Sequence, residues 1–182
     1  MEGLIVPTGI KELFSWTVRL TCEELGLPDD SVSDYLADLL TRFACTDELW
    51  PRNANGAPMH GLVDRLAEIQ RAWEFDTPHF NPERELELRR GIGDYTLFLS
   101  GFFWESVCAR SAARHYVRQG RRAYRFVAEH HRALGQPEAQ IFRALALRFE
   151  TYAAALSYLR DVHLGAEFAP WPHRMFAKII TR

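Results

Sequence analysis

The chain has few cysteines, almost no lysine and no long apolar run. Its three cysteines in 182 residues, Cys22, Cys45 and Cys108, lie far apart and form no C-x-x-C pair. This argues against a disulfide framework and against a cysteine-built zinc site, and it points to a reducing, cytoplasmic setting. Each cysteine falls in a helical pattern, where a free thiol packs as a small apolar group. The longest apolar stretch, Tyr95 to Trp104, is too short for a bilayer and contains Thr96, Ser100 and Gly101. No membrane role is expected. Met1–Glu2–Gly3 offers no basic start and Leu4–Ile5–Val6 no adequate apolar region, so no secretory leader is expected either.

Catalytic and cofactor signatures are also missing. No G-x-x-x-x-G-K-[ST] cradle is present, and Gly91-x-Gly93 lacks both a preceding strand and a third glycine. Leu99–Ser100–Gly101 is only a fragment of a nucleophile elbow. The seven histidines form no H-E-x-x-H, and none follows a glutamate at the Glu-x-x-His spacing of di-iron bundles. His130 and His131 are neighbours, about 100° apart on a helix, and cannot chelate together. The expectation is no catalytic residue, no metal and no cofactor.

What is present is helical periodicity. Segment one runs from Thr8, a candidate cap, to Leu25 before Gly26 and Pro28, with Ile10, Leu13, Phe14, Val18 and Cys22 apolar. Segment two repeats Val32, Tyr35, Leu36, Leu39, Leu40 and Phe43 at steps of three and four. Ser31 and Asp34 resemble a capping pair at its start. A loop follows from Thr46 to Ala57, pinned by Leu49 and Trp50. Segment three starts near Pro58 and marks its face with Met59, Leu62, Val63, Leu66, Gln70 and Trp73.

Asn81–Pro82–Glu83 signals the start of segment four, which continues to Trp104. From Ile92 onward this segment is apolar on nearly every side, so it belongs at the centre. Gly91, Gly93 and Gly101 suit close helix contacts or a local break. Segment five spans Ala112 to Leu134 and stops at Gly135. Segment six spans Pro137 to His163 with a stripe of Ile141, Leu145, Phe149, Tyr152, Leu156 and Leu159. Residues 165–182 read as a docking tail. No alternating strand pattern, repeat or low-complexity tract appears. The expected fold is a single-domain, all-α bundle of about six helices around a buried one.

Charge is distributed unevenly. Residues 1–105 carry 19 acidic and 9 basic side chains, a net of −10, whereas residues 106–182 carry 5 acidic and 13 basic, a net of +8. Of the 22 basic residues, 20 are arginine. A base-composition bias would produce the same excess, although arginine also suits planar, bidentate anion contacts.

Three clusters are candidate sites. Arg114, Arg118, Arg121, Arg122 and Arg125 follow helical steps and share one broad face, with Tyr116 and Tyr124 interleaved. Such a face meets either the acids of segments two and four or an anionic partner. The partner expected first is an acidic protein surface or a second copy of the chain, as in a homodimer. Phosphate-backbone binding to nucleic acid ranks lower, because overall charge is −2 and no nucleic-acid fold signature is present.

The second cluster centres on Asp94, which enters the most apolar part of the chain and must be paired or neutralised there. Arg90, four residues back, or a tyrosine such as Tyr116 would serve. This group is either a polar latch between helices or, with Tyr95, Tyr116, Tyr124 and His131, the lining of a small-ligand pocket, the site of a possible enzyme. The third cluster, Asp30, Asp34 and Asp38, reads as a solvated face, since a Mg²⁺ site of that kind needs a second acid cluster.

The run from Arg90-Gly91-Ile92-Gly93-Asp94-Tyr95 to Phe102-Phe103-Trp104-Glu105 resembles a segment of a bacterial all-α protein family of unassigned function. His115-Tyr116-Val117 and Gly120-Arg121-Arg122-Ala123-Tyr124 resemble its next helix. The resemblance extends loosely from Tyr35 to Leu159. It implies a compact bacterial helical protein and assigns no activity, cofactor or site residue. The sequence therefore leads to a non-enzymatic interaction protein with an arginine-rich helix.

Overall fold

The computed structural model describes residues 9–27, 29–44, 49, 51–109 and 111–165. Thr8, Pro28, Cys45, Trp50 and the tail beyond Gly165 lie outside the described residues. The described residues form eight α-helices: α1 Ile10–Glu24, α2 Asp30–Ala44, α3 Leu62–Ala72, α4 Arg84–Phe102, α5 Trp104–Ala109, α6 Ala113–Ala133, α7 Ala139–Leu147 and α8 Phe149–Tyr158. A π-helical turn, Leu159–Leu164, continues α8. No strand occurs among the described residues; the single bridge joins Arg52 to Pro58. No described helix is long and apolar enough to cross a membrane.

The all-α expectation holds, and the expected count of about six is corrected to eight among the described residues. Segment four breaks at Phe103 (φ −134°, ψ 34°), so Trp104 opens a separate short helix. Segment six breaks at Arg148 (φ −114°, ψ 33°). The break has a packing reason: α7 lies mainly against α6, whereas α8 lies mainly against α4, and one straight helix could not follow both.

Helix α4 is the central element, with every residue from Ile92 to Phe102 buried. Helices α3, α6 and α8 surround it, while α1 and α2 pair on one side. Its glycines do not break it. A Cβ on Gly93 would lie 2.6 Å from the Tyr124 ring, and one on Gly101 would lie 2.5 Å from Leu156 Cβ and 3.2 Å from the Ala153 carbonyl. These positions let α6 and α8 approach closer than any side chain would permit.

Several local expectations are corrected. The cap of α2 is Asp29, whose carboxylate accepts from the Val32 amide at 3.1 Å, in place of the Ser31–Asp34 pair. Helix α3 begins at Leu62 and not at Pro58, because Met59 N donates to Pro51 O at 2.8 Å and closes a tight turn over residues 51–59. Ile10 is exposed, as are Val63 on α3 and Trp73 just past its end. The inward face of α3 instead carries Leu62, Arg65, Glu68, Ile69 and Ala72, so two charged side chains are buried. Asn81 does cap α4, at 3.3 Å from the Arg84 amide, and Gly26 and Gly135 turn the chain at φ +66° and +67°.

Gly101→Ala should destabilise the fold by about 1–3 kcal/mol through overpacking, despite alanine's better helix propensity. Gly91→Ala meets only Arg65 Nη1, at 3.6 Å, and should be neutral or stabilising by up to about 1 kcal/mol. Urea denaturation of the two variants checks the contrast.

Candidate functional site

Three helices bring polar groups to the middle of the bundle. Asp94 on α4 is 1% exposed. Its Oδ1 accepts from the Tyr35 hydroxyl at 2.6 Å and from the Tyr124 hydroxyl at 2.8 Å. Its Oδ2 accepts from Arg42 Nη2 at 3.0 Å, with Arg90 Nε at 3.9 Å. Arg90 Nε also donates to the Tyr35 hydroxyl at 3.2 Å. Tyr35 and Arg42 come from α2, seven residues and hence two turns apart, so their side chains leave the same face. Gly93 makes room for the Tyr124 ring beside the carboxylate.

The electrostatics follow from this geometry. Burial raises the Tyr35 and Tyr124 hydroxyls well above the ordinary tyrosine pKa, and the Asp94 charge raises both further. Burial alone would lower Arg42, but the Asp94 carboxylate more than offsets it and the net shift is upward. Each carboxylate oxygen thus has charged or hydroxyl donors, the condition for keeping an ionised acid away from water. The arrangement is that of a latch between α2, α4 and α6.

The other side chains considered with Asp94 do not join it. Tyr95, next along α4, points away and donates to His60 O at 3.2 Å. Tyr116 lies beside the Tyr95 ring, with centroids 6.4 Å apart. His131 is half-buried at the far end of α6, stacked on Phe142 at 5.3 Å and bonded to Gln136. Of the named set, only Tyr124 touches Asp94. Sequence reasoning misses Tyr35 and Arg42 as its partners, since Tyr35 reads as part of an ordinary amphipathic stripe and nothing in the pattern singles out Arg42.

The arginine stripe occupies a different place. Arg114, Arg118, Arg121, Arg122 and Arg125 line one cleft of about 740 Å³ with Trp104, Ala113, Val117 and Glu150. Arg114, Arg118, Arg122 and Arg125 are exposed. Arg121 Nη1 lies 3.9 Å from Glu150 Oε2 and its Nε donates to Ala146 O at 3.2 Å. No other member has a carboxylate within 4 Å among the described residues, so the acids of α2 and α4 do not neutralise the stripe. Those acids have nearer partners: Asp34 pairs with Arg19 at 2.8 Å and Asp38 with Arg42 at 2.9 Å. The interleaved tyrosines leave the arginine face, Tyr124 being fully buried and Tyr116 half-buried. A second cleft of about 350 Å³ continues past Arg125 to Arg132 and Arg143.

No group of three or more His, Cys, Asp or Glu side chains among the described residues is arranged to hold a metal ion.

Replacing Asp94 by Asn removes the buried carboxylate shared by Arg42 and Arg90, leaving Arg42 only its exposed Asp38 partner, and should cost about 3–5 kcal/mol in chemical denaturation. A pH effect also follows. A tyrosine whose folded pKa exceeds its unfolded value of about 10 contributes stability that is complete below pH 10 and lost as pH rises through the folded value. Above pH 10 the unfolded chain binds fewer protons than the native one. Stability should therefore fall by up to about 1.4 kcal/mol per pH unit for each of Tyr35 and Tyr124, and Tyr124→Phe should flatten the slope.

Compared with known proteins, the chain matches no family model, no curated protein and no solved structure.

Proposed function

We propose that this chain is a non-enzymatic interaction protein whose α6 binds an acidic protein surface, on a partner or on a second copy. The observation that carries the reading is the exposed row of Arg114, Arg118, Arg122 and Arg125 along a 740 Å³ cleft, with Glu150 the one acid among its described lining residues. Like charges at helical steps of three and four repel by about 0.2–0.5 kcal/mol per pair, and an anionic partner relieves this. Trp104, 39% exposed, and Val117 add apolar surface to the same cleft. Arginine beside a tryptophan is the composition of a protein-binding hot spot.

A second copy would bring acids of its own. Glu23, Glu24, Asp30, Asp34 and Asp38 are exposed on α1 and α2. Single-stranded nucleic acid is a poorer fit, since Tyr116 and Tyr124 are withdrawn from the arginine face and leave little platform for base stacking.

Labelled poly-L-glutamate and a labelled DNA oligonucleotide, titrated from low to physiological salt, test the reading. Poly-L-glutamate should bind, weakening with salt. The paired charge reversal Arg118→Glu and Arg122→Glu should abolish binding while changing stability by less than about 1 kcal/mol. Self-association would appear as a dimer in sedimentation that the same reversal dissolves. Undiminished binding by the reversed protein would sink the proposal, and tighter DNA binding with a steep salt slope would move it to phosphate backbones.

A further inference from the structure

The α3 side of the bundle holds a second basic feature, smaller and less open than the first. A cavity of about 230 Å³ is lined by Arg42, Arg52, Arg65 and Arg84, by Glu87 and Asp94, and by apolar groups including Phe43 and Met59. Among these described lining residues, four positive charges face two negative ones. Three of the arginines have local acceptors. Arg42 pairs with Asp38 and Asp94, Arg84 Nη1 with Glu68 at 2.9 Å, and Arg52 Nη1 donates to Gly56 O at 2.6 Å.

Arg65 is the one of the four that is fully buried. It is 3% exposed and has no carboxylate within 4 Å among the described residues. Its Nη2 donates to Leu49 O at 2.8 Å and its guanidinium lies 4.4 Å above the Tyr95 ring. Its Nε is buried with no acceptor. Burial lowers its pKa, with Tyr95, Asp94 and Asp64 opposing that shift. Arginine does not lose its proton in proteins, so a buried guanidinium needs an anion, and Asp94 is already engaged by Tyr35, Tyr124, Arg42 and Arg90. At Gly91, on the wall of the cavity, a Cβ would stand 3.6 Å from Arg65 Nη1, so the glycine leaves the approach to that nitrogen open.

We infer that this cavity is a binding site for a small dianionic oxyanion of the phosphate class, held by Arg65 with Arg52 at the rim. Charge and size both point there. Arg52 and Arg65 are the two lining guanidinium groups with no carboxylate partner among the described residues, a match for the charge of a phosphate dianion, and guanidinium groups bind such oxygens with paired N–H donors. The volume is smaller than the roughly 300–1,000 Å³ of pockets for drug-sized ligands, so the site suits free phosphate or the head of a small monoester and not a nucleotide. The site stands apart from the α6 cleft, with which it shares no lining residue.

The test is calorimetric titration of the full chain with inorganic phosphate and, separately, with glycerol phosphate, against chloride at equal ionic strength. Phosphate should bind with one site and raise the melting temperature in proportion to the logarithm of its concentration once saturating. Tighter binding of glycerol phosphate would assign the site to a monoester, and equal or weaker binding to the free ion; either supports the site. Arg65→Met should weaken binding roughly tenfold or more, with partial recovery in Arg65→Lys. Should the Arg65 variants fail to fold, Arg52→Gln, at an exposed position, should still weaken it several-fold. The Arg118→Glu/Arg122→Glu protein should bind phosphate as the wild type does, which separates this site from the α6 proposal. No phosphate-specific heat or melting shift in the wild type would overturn the inference. So would full binding by folded Arg65→Met, or loss of binding in the α6 reversal.

Discussion

The structure depends on one buried carboxylate. Asp94 stands in the most apolar stretch of the chain, and the bundle can tolerate it only because α2 and α6 deliver two hydroxyls and a guanidinium to it. That requirement sets the geometry of the helices around it. Helix α2 must present Tyr35 and Arg42 on the face toward α4. Helix α6 must come close enough for Tyr124 to lie against Gly93, which is why a glycine precedes the aspartate. Apolar packing supplies the larger part of the stability, but it is non-directional. The carboxylate supplies direction: a helix turned away from it leaves a charge unpaired in a dry interior.

The helical class and the central position of α4 were legible because periodicity and uniform apolarity are local properties. The Asp94 latch was legible by half. A lone acid in an apolar run announces that it needs partners, and Arg90, one turn back, was visible as one. Tyr35 and Arg42 were not, since amphipathic spacing says which residues share a face and not what that face meets. The two breaks, at Phe103 and Arg148, carry neither proline nor glycine. They arise from the positions of neighbouring helices, which the sequence does not display. Helix α3 was read least well. Its pattern put Val63 and Trp73 inward, whereas the fold buries Arg65 and Glu68. Local rules tend to fail in this way where polar groups have been placed inside for a purpose other than packing.

Two kinds of arginine divide the basic character of the molecule. Those of α6 are solvated, adjacent to one another and weakly paired, so their field reaches outward for about a Debye length. Arg65 is desolvated and acts only over contact distance. The first kind suits recognition of an extended surface, and the second suits selection of one small group. Among the described residues the acidic first half of the chain pairs with neither, and several of its carboxylates are engaged locally, in Asp34–Arg19, Asp38–Arg42, Glu68–Arg84 and Glu85–Arg89. The opposite charges of the two halves are therefore a property of the surface more than of the core.

The latch also bears on the order of folding. Tyr35 and Asp94 are 59 residues apart, Arg42 and Asp94 are 52 apart, and Tyr124 and Asp94 are 30 apart. A chain emerging from a ribosome cannot complete these bonds until α6 has been made. Until then Tyr35 and Arg42 on α2 can already reach Asp94, but the Tyr124 bond is missing and that side of the carboxylate stays open to water. Sealing that side before α6 arrives would cost the desolvation of a carboxylate short of one donor. The residue that fixes the finished core is thus also the one that delays its closure until every helix it needs is present.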